Sequence, residues 1–73
     1  MKEYNIYDII RINIKKIRQE KGLTQAQLTE KTDLSHDYIR QIESLKVANT
    51  FSVDTLYRIA KVLDTDISKL FKE

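Results

Sequence analysis

Residues 24–43 read TQAQLTEKTDLSHDYIRQIE, and two helix starts lie inside this one run. Thr24 and Gln27 have the reciprocal capping pattern: the Thr24 hydroxyl accepts from the Gln27 amide while the Gln27 side chain reaches back to the Thr24 backbone. A helix therefore starts there, and Leu28 with Leu23 and Ala26 supplies its inner face. Thr32-Asp33 ends it, because Asp tolerates the left-handed conformation better than most residues that carry a Cβ. Ser35 caps a further helix from His36 to Glu43 or Ser44, whose Ile39 and Ile42 point inward together with Leu34. Two short helices joined by a tight turn have the geometry of a helix-turn-helix.

Upstream, Ile6, Ile10, Ile14 and Ile17 recur at helical spacing and trace one stripe. Asn5 or Asp8 caps the start, Lys15, Lys16 and Lys21 complement the dipole toward the far end, and Gly22 is the left-handed stop. Ile9 and Ile12 lie off the stripe, as part of a broad apolar face or as an exposed contact patch. Downstream, residues 45–51, LKVANTF, lack a helical period and read as the one long loop. Ser52 restarts a helix through Leu63, with Val53, Leu56, Ile59, Ala60 and Leu63 on one side. Asp64 replaces the usual Gly stop, and Asp66 caps a last short helix carrying Ile67, Leu70 and Phe71. The expectation is an all-α five-helix bundle, a single domain over 1–73 with a short N-terminal extension at 1–8.

Composition narrows the function. Seventy-three residues, 41% of them hydrophobic, fill one small core, so neither a two-domain enzyme nor an appended sensor domain is expected. Without Cys there are no disulfides or thiolate metal sites, and the lone His36 cannot make a zinc site, so neither metal nor cofactor is expected. No nucleophile–base pair or glycine-rich phosphate loop stands out, so no catalytic residue is assigned. Ser35 and His36 are neighbours in sequence, but adjacent helical residues do not face each other. The start MKEYNIYDII offers no signal-peptide apolar run and no stretch has the length of a membrane span, so a cytoplasmic protein is expected. Net charge is only +2, divided as +3 over residues 1–22, −1 over 23–50 and 0 over 51–73. Any basic surface is local and comes mainly from the first segment.

The runs IRQEKGLTQAQL, LSHDYIRQIESLK and TLYRIAKVL together resemble the phage repressor/Cro-type (XRE) helix-turn-helix family. The likeness extends over residues 10–71 and implies a lambda-repressor-like DNA-binding domain. It makes the helix beginning at His36 a recognition helix in the major groove, with the start of the preceding helix on the phosphate backbone. Side-chain geometry agrees, since His36, Asp37, Arg40, Gln41 and Ser44 are not spent on the core and share one outward face.

Gln41 can pair with adenine, Asp37 can accept from cytosine or serve only the helix dipole, and His36 can meet guanine N7 or a phosphate, or simply face solvent. Arg40 suits a phosphate. The resemblance further implies phosphate contacts at Gln25 and Ser35, a cation near a phosphate at Lys46, and a structural pair of Arg18 with Glu43. Tyr38 is expected to pack on the neighbouring helix with its hydroxyl toward the backbone.

Several residues depart from the family pattern. Thr29 stands where Ala is preferred, Thr32 where an apolar residue is, and Asp33 where the turn has Gly. Leu45 replaces a frequent Gly, and the loop after it is longer and lacks the customary Pro.

The leading expectation is a sequence-specific transcriptional regulator, a repressor that binds double-stranded DNA as a homodimer on a palindromic operator. The alternative is a protein-interaction module, such as an antitoxin that neutralises a partner toxin; a DNA reader needs Arg40 and Gln41 exposed, whereas a toxin binder uses Ile9, Ile12 or the C-terminal helix. The dimer surface is expected around Ile67, Leu70 and Phe71, with Ile9 and Ile12 second.

Overall fold

Four α-helices and a terminal 3₁₀ helix form the computed structural model, which describes residues 5–46 and 51–73. They are α1 (Ile6–Glu20), α2 (Gln25–Thr32), α3 (His36–Glu43), α4 (Val53–Val62) and the 3₁₀ helix Ile67–Phe71. Each opens on a side-chain oxygen: Asn5, Thr24, Ser35, Ser52 and Asp66 accept from amides two or three residues on, and Thr24 with Gln27 makes the full reciprocal box. Asn5, not Asp8, caps α1, so residues 6–8, expected in an N-terminal extension, form its first turn. Of the long loop, residues 47–50 lie outside the described residues, as do residues 1–4 of the extension.

Left-handed residues sit where the turns demand them. Gly22 ends the α1 turn at φ 73°, Asp33 closes α2 at φ 60° and Asp64 follows α4 at φ 53°. Both Asp residues thus do the work for which Gly is usual.

One core joins all five elements: Ile10, Ile14, Leu28, Ile39, Ile42, Leu56, Ile59, Ala60, Leu63 and Leu70. The α1 stripe fades at its start, where Ile6 is 45% exposed, and its buried face also takes in Arg11 and Arg18. Ala26 is exposed rather than inward, and Val53 is 73% exposed, because a first-turn residue of α4 lies at the rim of the bundle. Tyr38 packs against the core as expected, but its hydroxyl meets the Thr55 hydroxyl at 3.5 Å instead of the backbone.

The fifth helix is 3₁₀ rather than α. Its run of five residues is short, it opens with a tight three-residue bond from Lys69 N–H to the Asp66 carbonyl at 2.9 Å, and Asn13 Nδ2 donates to the carbonyls of Leu70 at 2.8 Å and Lys72 at 2.7 Å. This docking buries Leu70 completely, which removes it from the expected dimer surface; a core this small needs it. Ile67 is half-buried against the core and Phe71 stays 40% exposed. No described helix is long and apolar enough to cross a membrane.

Candidate functional site

The two sides of α3 differ completely. Ile39 and Ile42 are buried, whereas His36, Asp37, Arg40 and Gln41 are exposed on the opposite side. Ser35 Oγ accepts from Tyr38 N–H at 3.1 Å, which fixes the start of the helix and commits that hydroxyl to a capping bond. Asp37 and Arg40 meet at 3.3 Å with both side chains largely exposed, a weak pair that an incoming polar ligand can rearrange.

Behind this surface a carboxylate is held by three donors from two residues. Arg18 Nε donates to Glu43 Oε2 at 2.7 Å and Arg18 Nη2 to Glu43 Oε1 at 3.0 Å, with side chains 9% and 2% exposed. Arg18 Nη1 also donates to the Leu23 carbonyl at 2.7 Å, so one guanidinium ties α1, the turn after it and the end of α3. A forked pair fixes direction as well as distance, which is what orienting a helix requires. Gln25 Nε2 donates to Glu43 Oε1 at 3.1 Å, drawing the N-terminus of α2 onto the same carboxylate. An amide nitrogen carries two donors, so this bond leaves Gln25 a second one to offer.

Between α1, α2 and α3 lies an open polar cleft of about 390 Å³, lined by Lys15, Gln25, Asp37, Arg40, Gln41, Glu43 and Ser44. It brings together six of the residues singled out from sequence, Gln25, Asp37, Arg40, Gln41, Glu43 and Ser44. His36 is exposed at the start of α3 outside the cleft lining, and Lys46 is exposed beyond its end, its backbone N–H bonded to Ser44 Oγ at 3.3 Å.

Two cations were not assigned to the site from sequence. Lys15 lines the cleft, and Arg11 is 1% exposed with its guanidinium on the last carbonyls of α3. The available signal was spacing: Arg11, Lys15 and Arg18 stand four and three residues apart, hence on one side of α1.

The departures noted at α2 have distinct outcomes. Thr32, buried, satisfies itself by donating to the Leu28 carbonyl at 2.7 Å. Thr29 Oγ1 is buried without a hydrogen-bond partner.

Residues 14–70 match the family model described as Helix-turn-helix. Among solved structures, the chain is 32% identical to the master regulator for biofilm formation SinR, solved in complex with DNA, over 86% of this chain and 98% of that one, with a TM-score of 0.77. It is 33% identical to the wild-type restriction-modification controller protein C.Esp1396I, over 94% of this chain and 88% of that one, with a TM-score of 0.81. A complex of SinR with SinI gives 31% identity over 88% of this chain and 61% of that one, with a TM-score of 0.78. No curated protein sequence matches the chain.

Proposed function

The chain belongs to the XRE-type helix-turn-helix family, and we propose that it is a DNA-binding transcription regulator that represses as a homodimer on a palindromic operator. The observation that carries this reading is the division of α3: its apolar side is wholly spent on the core, while Arg40 and Gln41 stand exposed at a polar cleft beside Lys15 and Gln25. In this reading α3 enters the major groove, Gln41 pairs with adenine, and His36 and Asp37 face neighbouring base edges. Arg40, Lys46, Lys15, Gln25 and the helix start at Ser35 meet phosphates and set register.

Exposure of Arg40 and Gln41 is also the feature that favours a DNA reader over an antitoxin-like module. SinR has been solved in complex with DNA and, separately, in complex with SinI, so a related protein takes a partner of each kind.

Dimerisation follows from shortage. One such module reads few base pairs, and the −1 charge of residues 23–50 supplies little nonspecific affinity. The proposed contact surface is redrawn without Leu70: Phe71 is exposed, and Tyr57, Ala60 and Ile67 line a shallow cleft of about 200 Å³ beside the 3₁₀ helix. Ile9, half-buried, and Ile12, 39% exposed, form the second choice. Selection of bound sites from random duplex DNA, followed by footprinting and ultracentrifugation, tests the whole reading. Two symmetric half-sites about 34 Å apart with two chains per duplex support it. One chain per duplex at saturation, protecting one half-site, contradicts the dimer, and no sequence enrichment contradicts DNA reading itself.

A further inference from the structure

The end of α3 lacks the residue that usually closes a helix. Its C-cap, Ser44, is extended at φ −94° and ψ 122°, and the residue after it is Leu45 rather than a left-handed Gly. The last carbonyls of a helix have no partner within the helix and need donors from elsewhere. Ser44 N–H reaches the Gln41 carbonyl at 3.2 Å, and a further donor comes from α1. Arg11 Nη1 donates to the carbonyls of Gln41, Ile42 at 2.9 Å and Ser44 at 3.4 Å.

Arg11 is not a surface cation that happens to reach inward. It is 1% exposed and, among the described residues, is the largest fully buried side chain. Its guanidinium lies 5.2 Å from the centre of the Phe51 ring, and Tyr7, one turn earlier on α1, packs edge-on against the same ring at 5.4 Å and 77°. The ring face and the carbonyls together solvate the buried charge, and a cation at a helix C-terminus is further favoured by the dipole. Two of the gripped carbonyls belong to Gln41 and Ser44, residues whose side chains or backbone line the outward cleft.

We propose that Arg11 is a positioning residue for DNA reading: a cap supplied across the fold that seats the Gln41 end of α3, in place of the glycine this end lacks. The proposal rests on the assignment of α3 as the reading helix. It also explains why Phe51, just ahead of α4, turns toward α1 rather than solvent, since its ring covers the guanidinium that holds α3.

The test compares wild type, Arg11→Lys and Arg11→Met in the full chain, on the duplex selected by wild type and on an unrelated duplex of equal length. Affinities are read at a temperature where circular dichroism shows every variant folded. Arg11→Met is expected to weaken the selected duplex on the order of tenfold while the unrelated duplex changes less than about twofold. Arg11→Lys keeps the charge but not the planar guanidinium that spans these carbonyls, and is expected to fall between.

Equal loss on both duplexes, or a lowered melting temperature with the preference intact, would overturn the positioning role. Hydrogen exchange without DNA judges the cap separately: Arg11→Met should speed exchange of the Ile42, Glu43 and Ser44 amides relative to those of α2, and unchanged relative rates contradict it. Absence of any duplex preference in wild type, with that exchange effect present, means instead that the DNA-reading assignment has failed while the cap is real. If Arg11→Met does not fold, Arg11→Lys carries both measurements, with the same directions expected.

Discussion

α2 and α3 are both eight residues long and both begin on a side-chain hydroxyl, yet they end in opposite ways. α2 closes with its own residues: Asp33 turns left-handed and returns its N–H to the Thr29 carbonyl at 3.1 Å, and the Thr32 hydroxyl takes the Leu28 carbonyl. α3 runs into an extended Ser44 and is closed by α1, with Arg11 on its last carbonyls and Arg18 on Glu43. A helix closed by its own neighbours carries its end in local sequence. A helix closed from another element has its direction set by tertiary structure, and here that is the helix whose outward side meets the polar cleft.

Breaking the support of α3 gives the largest expected effect. Arg18→Met leaves the Glu43 carboxylate buried without its fork, and truncating one partner of a buried pair costs about 3–5 kcal/mol. Urea unfolding should show this as a lower midpoint with an unchanged slope. Unchanged stability with weakened DNA binding would reassign Arg18 to a phosphate. Glu43→Gln, which keeps an acceptor for Arg18, should cost less than Arg18→Met.

The same contrast explains what could be read before the fold was known. Caps are local, so Thr24, Ser35, Ser52 and Asp66 were legible from hydroxyls and carboxylates preceding apolar periods, as were the left-handed roles of Gly22, Asp33 and Asp64. Ile39 and Ile42 were legible from spacing, and the Arg18–Glu43 pair entered through the family resemblance, since nothing in sequence links residues 25 apart. Arg11 and Asn13 were not legible, because each serves carbonyls on an element far along the chain. A buried arginine among isoleucines looks like a solvated one until the carbonyls it serves are in place. Val53 and Leu70 misled in opposite directions, since periodicity gives a side of a helix but not whether the bundle's rim or its centre lies opposite that side.

Two smaller changes sharpen the contrast at α2. Thr29→Ala removes a buried hydroxyl without a partner and adds helix propensity, against the loss of one methyl group, and is expected to stabilise by about 0.5–1 kcal/mol. A loss of similar size would mean that this hydroxyl has a partner in solution. Asp33→Gly relieves a left-handed residue at φ 60° and is expected to raise stability by no more than about 1 kcal/mol, because Asp already tolerates this region. Both variants are read by thermal unfolding, and neither should change which bases are preferred, since α2 closes independently of α3.

The claim that the exposed side of α3 reads DNA is tested most directly by the binding of wild type, Gln41→Ala and Gln25→Ala to a panel of single-base variants of the selected duplex. The account predicts that Gln41→Ala flattens preference at one position per half-site, at a cost there of about 1–3 kcal/mol, while Gln25→Ala weakens every duplex alike. A uniform loss for Gln41→Ala, with all base preferences retained, would contradict it.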